Sequence, residues 1–137
     1  MSYAAAAALQ EAVFQKLSGD SSLAALVGNA VYDTLPVGNL PTTYVTLGPE
    51  DVRDRSDKSG GGAWHRFTIS VITESGGFYV AKQVAGTIND ALVGADLNLT
   101  RGRLAGLHFF RARAKREGTG NLRRIDLTFR ARVDDTA

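Results

Sequence analysis

The residue types that most often do chemistry are scarce in this sequence and lie far apart. His65 and His108 are its only histidines, and it contains no cysteine. Two histidines without tight spacing are a weak indication of a metal site, because zinc needs three or four clustered ligands. The simpler interpretation makes His65 a strand-surface residue beside Trp64 and His108 a half-buried residue beside Phe109. The sequence therefore predicts no metal site and no cofactor.

Motifs for catalysis or phosphate binding are also missing from the sequence. No serine occupies a G-x-S-x-G turn. The three glycines at 60–62 lack the lysine of a phosphate-binding loop and precede a strand, whereas such a loop precedes a helix. The carboxylates of residues 50–57 alternate with arginines in what should be solvent, while acid–base catalysis favours a sheltered carboxylate. We therefore expect no enzymatic activity.

Charge is distributed unevenly along the chain. Residues 1–100 contain six Lys and Arg against ten Asp and Glu, whereas residues 101–132 contain ten against two. Such a basic region can contact nucleic acid. It can equally dock on an acidic region of the same chain or of another copy. Solvated strand faces are the third interpretation, and composition alone leaves all three open.

A nucleic-acid surface would need more than positive charge. Single-strand and RNA platforms usually add exposed aromatic residues on which bases stack. Here Phe129 falls in the buried phase of the last strand. Only Phe109 alternates in phase with the arginines of its own strand, Arg111 and Arg113. The basic segment still makes a small nucleic-acid-binding module, using the C-terminal hairpin, the alternative function, although the scarcity of exposed aromatic residues disfavours it.

Hydrophobic periodicity predicts helices and strands in the order αα, ββ, α, ββ. A first helix ends at Gly19, and a short second helix begins at Asp20 or Ser21 and ends at Gly28. Glycines also bound a third, strongly amphipathic helix, which runs from Phe78 towards Gly94. The predicted strands are 44–47, continuing extended towards residue 55, then 64–73, 104–115 and 122–133. Pro49 argues that the first of these strands lies at a sheet edge.

The last two strands differ in how clearly they alternate. In the final strand the odd positions from Ile125 to Val133 are apolar and the even ones from Arg124 to Arg132 are polar, so one face is buried. In the partner strand both phases contain an aromatic residue, Phe109 or Phe110. That strand either changes faces at a bulge or is covered on both sides.

These elements predict one α+β domain over residues 1–137, in which helices pack on one face of a largely antiparallel sheet. Residues 51–63 should form a protruding charged hairpin loop, and residues 134–137 a flexible tail.

The ordered segments resemble a known family. L-x-x-L-V-G-x-x-V-Y at 23–32, YVTLG at 44–48 with its charged loop, and F-R-A-R at 129–132 are similar to the tail-terminator proteins of long-tailed phages. These are also called tail-completion or tail-to-head joining proteins, and gene transfer agents carry them too. The resemblance covers residues 9–133, and none of its motifs is a catalytic signature.

The resemblance implies a structural protein of a virion or gene transfer agent particle, at the head-proximal end of the tail. Family members form a hexameric ring that caps the tail tube and stops its polymerisation. The opposite face of the ring receives the head-completion, or stopper, protein. DNA passes through the lumen without sequence-specific binding, and no membrane is involved.

Two sets of residues are the candidate contacts. A loop that touches the tube or another partner would use Arg53, Asp54, Arg55, Asp57, Lys58, Gly60, Gly61 and Gly62. A contact with a neighbouring subunit, or with DNA in the lumen, would use Arg111, Arg113, Lys115, Arg124, Arg130 and Arg132. Both interpretations of the second set remain open.

Overall fold

The protein was analysed as a computed structural model, which describes residues 3–54, 62–74, 76–118 and 121–135. Five strands form one sheet in the order β1-β2-β3-β5-β4. Their bounds are Val31–Tyr32 for β1, Thr43–Asp54 for β2, Gly62–Thr73 for β3, Arg103–Arg116 for β4 and Arg123–Asp134 for β5. The pair β1–β2 is parallel and the other three pairs are antiparallel.

Three helices accompany the sheet: α1 (Ala6–Ser18), α2 (Ser21–Val27) and α3 (Tyr79–Leu92). The Asp20 carboxylate accepts a hydrogen bond from the Leu23 backbone N–H at 2.9 Å, which caps α2 as expected for its N-terminus. Gly28 follows α2 with φ 63°, a left-handed conformation that glycine adopts without a Cβ clash. The short polar connection between α1 and α2 is therefore fixed by local signals.

The helices cover one face of the sheet, which we call the helix face; the opposite one is the outer face. In β5 every odd residue from Arg123 to Val133 is buried and every even one is half-buried, as the alternation predicts. The apolar stripe of α3 (for example Val84 and Ile88) packs with Phe129 and Ile69 in one core. This arrangement confirms the predicted α+β class, the single domain and the largely antiparallel sheet.

Two parts of the strand assignment extend the predictions. The two-residue strand β1 lies in the turn-rich passage before Pro36 and was not predicted, because two residues carry no readable periodicity. Strands β2 and β3 continue into the expected loop, and Asp54 pairs with Ala63. Gly62, which the sequence placed in that loop, is a buried residue of β3, where a Cβ would come within 2.5 Å of Arg132 Nη2. A larger residue there would therefore require the Arg132 side chain to move.

The C-terminal boundary also differs from the prediction. Residues 134–137 were expected to form a flexible tail, but Asp134 is the last residue of β5. Arg101 Nη2 forms an ion pair with Asp135 Oδ2 at 3.1 Å. The ordered chain therefore runs at least to residue 135, and residues 136 and 137 lie outside the described part.

The two histidines occupy the opposite environments from those expected. His65 is 0% exposed on the helix face, opposite Val52 and Ala131, whereas His108 is exposed and pairs with Arg130. His65 shares the alternation phase of the buried Phe67 and Ile69, and the prediction did not apply this alternation to it. Neither ring nitrogen of His65 has a hydrogen-bond partner among the described residues. Burial lowers the pKa of His65 below its ordinary value of 6.5, and the charge of Glu50 partly opposes this.

Among the helices that the structure describes, none combines the length and the apolar character that a membrane crossing needs.

The buried His65 predicts a pH-dependent stability. The unfolded chain binds a proton on His65 near pH 6.5, while the folded chain keeps this ring neutral to lower pH. Stability should therefore fall as the pH is lowered below about 6.5 and stop falling below the folded-state pKa. Replacing His65 by Leu should flatten this dependence and change stability at pH 7.5 by less than about 1.5 kcal/mol. Urea unfolding at pH 5.5 and 7.5 measures both effects.

The control for this comparison is His108→Leu, which removes an exposed histidine from the same sheet. It should leave the pH dependence as it is in the unmodified protein. An unchanged slope in the His65→Leu variant would contradict the assignment.

Candidate interaction surface

A bulge in β4 decides which side chains of this strand share a face. The register with β5 shifts between Phe109, which lies opposite Phe129, and Arg111, which lies opposite Thr128. One extra residue on one strand reverses the alternation beyond it. Leu107 and Phe109 therefore lie on the helix face, and Phe110 lies on the outer face with the arginines. The bulge alternative is confirmed, and the expectation that Phe109 accompanies the arginines was wrong.

All six predicted basic contact residues lie on the outer face. The register places Arg111, Arg113 and Lys115 of β4 opposite the outer-face residues Thr128, Asp126 and Arg124 of β5. The even-numbered residues Arg130 and Arg132 share the outer phase of Arg124 in β5. The structure thus brings together residues from two strands that the sequence could only group by parity.

Two arginines of the outer face stack on aromatic rings. The Cζ atom of Arg66 lies 4.2 Å from the centroid of the Phe110 ring. The Cζ atom of Arg130 lies 4.5 Å from the Trp64 ring and 5.7 Å from the Phe110 ring. Such cation–π contacts hold the guanidinium groups flat on the sheet while their N–H groups stay available to a partner.

Two other arginines are engaged by carboxylates of their own strand. Arg124 Nε donates to Asp126 Oδ1 at 2.8 Å, and Arg132 Nε donates to Asp134 Oδ1 at 3.1 Å. Asp126 also accepts a hydrogen bond from Ser70 Oγ at 2.6 Å. Burial raises the pKa of Asp126, but the hydrogen bonds from Ser70 and Arg124 outweigh it and hold this pKa below its ordinary value of 3.8.

Two further arginines, on β4, have no such carboxylate partner. Arg111 and Arg113 are exposed and form no ion pair with any residue that the structure describes. The outer face therefore contains three kinds of cation: some neutralised within the sheet, some stacked on rings, and some directed into solvent. Of these, Arg111 and Arg113 on β4 have neither an ion-pair partner nor a ring contact among the described residues.

The outer face is hollowed between β2 and β4. Two adjoining open hollows of about 370 and 520 Å³ share Asp51 and Arg66 in their lining. Glu50 and Asp51 of β2 line one side of the first hollow, and Arg111, Arg113 and Lys115 of β4 line the other. This surface can bind an extended or zwitterionic protein segment through charge and stacking.

The predicted contact loop is described only at its two ends. Arg53 and Asp54 end β2 and line the second hollow together with Trp64. Gly62 begins β3. Arg55, Asp57, Lys58, Gly60 and Gly61 lie outside the described residues.

No catalytic constellation is evident in the described residues. They contain no group of three or more His, Cys, Asp or Glu side chains that could hold a metal ion. His65 and His108, the pair considered from the sequence, lie on opposite faces of the sheet.

Sequence reasoning missed three members of this surface. Trp64, Arg66 and Phe110 were not grouped with the cations. The available signal was the doublet of Phe109 and Phe110 before an alternating basic run, because one aromatic residue of such a pair must leave the core face. Nothing in the sequence fixed which one.

Comparison with known proteins gives two matches of interest. The model of the family "Tail completion protein gp17" matches residues 11–134. A chain in the solved virion of a native gene transfer agent particle is 62% identical, with a TM-score of 0.93. That match covers 97% of this chain and 99% of the other. A search among proteins of curated function gives no match.

Asp126 should stabilise the outer face in a pH-dependent way. Its folded-state pKa is depressed, so its contribution is present above 3.8 and is lost as the pH falls through the folded-state value. Replacing Asp126 by Asn should cost about 1 kcal/mol at pH 7, because the bond from Arg124 loses its charge. This difference should shrink below pH 3.8. Asp90→Asn, an exposed change on α3, is the control and should cost little. Equal losses for the two variants at pH 7 would contradict the role of Asp126.

Proposed function

The chain belongs to the family of tail completion protein gp17 and is a structural component of a phage-like virion tail; from this premise we propose that its copies close a ring at the head-proximal end of the tail. The ring terminates polymerisation of the tail tube and joins the tail to the head-completion protein. It contains six copies and lets DNA pass through its lumen without reading the sequence. The protein acts by shape and transforms no substrate.

One observation carries this proposal beyond family membership: the sheet presents one open, charged and aromatic face with no catalytic constellation in the described residues. Uncompensated Arg111 and Arg113 and the stacked Arg66 and Arg130 are suited to protein contacts, where arginine and aromatic residues are enriched. A ring subunit needs surfaces of this kind for its neighbours. The match to a chain of a gene transfer agent virion supports the same setting.

The loop between β2 and β3 supplies the proposed contact with the tube or another partner. Its described ends, Arg53, Asp54 and Gly62, place it at the tip of a long antiparallel hairpin. Its remaining members, including Arg55, Asp57 and Lys58, combine both charge signs with glycine. Such a composition can pair with a charged surface on a partner.

The proposal predicts two defects in particles. Particles produced without this protein should carry overlong or headless tails, because nothing ends tube growth or receives the head. Replacing residues 55–61 by Asn-Gly should leave a folded protein, since Asn-Gly closes a tight hairpin, but one that restores no more headed particles than an empty control. Electron microscopy counts tail lengths and headed particles, and circular dichroism checks folding.

A second variant separates loop length from loop charge. Changing Arg55, Asp57 and Lys58 to Ser keeps the length and should weaken restoration if the charges make the contact. Normal tails in particles that lack the protein would overturn the function itself. Normal restoration by the shortened loop would overturn only the role of the loop.

One structural observation favours the alternative function, a nucleic-acid-binding module. The β4 bulge places Phe110 on the same face as Arg66 and Arg130, which provides the exposed ring that the sequence analysis did not find. Carboxylates of Asp51 and Asp126 line the same hollow, and they disfavour a polyanion. A filter-binding titration of single-stranded DNA against salt tests this function. We expect weak binding that Phe110→Ala leaves unchanged; a marked, salt-dependent loss with Phe110→Ala would favour the module.

A further inference from the structure

We infer that neighbouring copies contact each other head to tail, with the free edge of β4 in one copy lying antiparallel against the free edge of β2 in the next. This inference rests on the proposed ring and names the surfaces that form it. Four observations lead to it: which edges of the sheet are uncovered, their charge, the aromatic residues at one of them, and the direction of the strands.

The edge of β4 is uncovered over half its length. β4 is the last strand in the sheet order, so one side of its backbone has no strand partner among the described residues. The N–H of Gly94 donates to the Leu107 carbonyl at 3.1 Å and covers the edge at that point. From Phe109 to Arg116 the described residues offer no such cover. Open backbone groups of this kind are a template for pairing with another chain.

The edge of β2 is also only partly covered. The short strand β1 pairs with Val45 and Thr46 alone, and no strand in the described part of the chain pairs with this edge beyond them. A bulge between Leu47 and Glu50 contains Pro49, which cannot donate a backbone hydrogen bond. The edge that remains for pairing is therefore residues 50–53, close to the proposed contact loop.

The two free edges carry opposite charge. Residues 50–53 contain two carboxylates and Arg53, a net charge of −1; Asp51 pairs with Arg53 at 3.7 Å, and Glu50 accepts a hydrogen bond from the Tyr3 hydroxyl. Residues 109–116 contain four cations and no carboxylate, a net charge of +4. Pairing β4 with β4 of another copy would oppose like charges, and so would pairing β2 with β2. Pairing β4 with β2 places opposite charges together. Charge therefore selects a head-to-tail contact over a symmetric one.

The β4 edge also supplies apolar area. Phe109 is 46% exposed and Phe110 is 40% exposed, and the bulge directs them to opposite faces of the sheet. Each ring is anchored by a contact within the chain: Phe109 packs edge-on against Phe129 at 6.1 Å, and Phe110 stacks with Arg66. Such rigid, half-exposed aromatic residues are typical anchors of interfaces.

Strand direction is compatible with a closed ring. Direction alternates from β2 through β3 and β5 to β4, so β4 runs antiparallel to β2 of its own copy. A rotation about an axis along the strands leaves their direction unchanged, so β4 also meets the neighbour's β2 in the antiparallel sense. A contact between two different patches repeats from copy to copy and closes into a ring when the rotation permits.

An exchange of charge between the two edges tests the contact. One variant, Arg111→Glu with Arg113→Glu and Lys115→Glu, changes the β4 edge from +4 to −2 and so has two acidic edges. A second, Glu50→Lys with Asp51→Lys, changes the β2 edge from −1 to +3 and so has two basic edges. Each alone should need an at least roughly tenfold higher concentration than the unmodified protein to assemble. An equimolar mixture should assemble again, because each acidic edge can then meet a basic one. Native mass spectrometry should show rings of alternating composition.

The control variant combines Lys16→Glu and Lys82→Glu with Gln15→Glu and Gln83→Glu, which changes net charge by −6, as the first variant does, but lies on the exposed surface of α1 and α3. It should assemble like the unmodified protein. Normal assembly by either edge variant alone would overturn the inference while leaving the ring intact. Failure of the mixture, with both variants folded, would also overturn it.

Cross-linking in particles tests the same contact independently of assembly by the isolated chain. Because the chain has no cysteine, Asp51→Cys and Arg113→Cys can be placed on separate, co-expressed copies. A short bis-maleimide should link copies only when both variants are present. No link in particles that contain both copies, or an equal link from Arg113→Cys alone, would overturn the contact. Normal tails without the protein would instead overturn its proposed function.

Discussion

The organisation of this protein depends on covering one face of the sheet and leaving the other open. The apolar residues of β5, from Ile125 to Val133, lie under the helices, and this burial supplies the driving force for the sheet. Because side chains alternate strictly along a strand, the same burial forces Arg124, Arg130 and Arg132 onto the outer face. The charged surface is therefore a direct consequence of how the core is formed.

The bulge in β4 then sorts the edge strand into two halves. Before it, Leu107 and Phe109 extend the core; after it, Arg111 and Arg113 join the outer face. Without the extra residue, one half would place its side chains on the wrong face, because a shift of one position exchanges core and solvent sides. The bulge therefore lets the first half of β4 contribute to the core while its basic second half faces outward. It also places Phe110 where Arg66 can stack on it.

Most of the fold could be read from the sequence because it rests on long periodic segments. The alternation of β5 and the apolar stripe of α3 each span more than ten residues, and both confirmed the predicted faces. What could not be read depends on single positions or on distant pairing. The close approach of Arg132 to Gly62, for example, depends on pairing across the sheet. Local patterns carry no information about such neighbours. Alternation therefore placed the arginines of each strand on one face, but it also placed Phe109 with them and left out Trp64, Arg66 and Phe110.

The way charge is compensated within the sheet separates internal from external roles. Arg124 and Arg132 have carboxylate partners on the same strand, so their charges help to hold the sheet together and offer a partner little. Arg66 and Arg130 are stacked, which fixes their position without neutralising them. The uncompensated Arg111 and Arg113 lie on the free edge strand, and the carboxylates Glu50 and Asp51 lie near the other free edge. Asp51 in turn pairs with Arg53 of its own strand, and Glu50 accepts a hydrogen bond from the Tyr3 hydroxyl. The excess positive charge of the outer face is therefore concentrated on β4, at one edge of the sheet, because the carboxylates of β5 and β2 are already engaged within the chain.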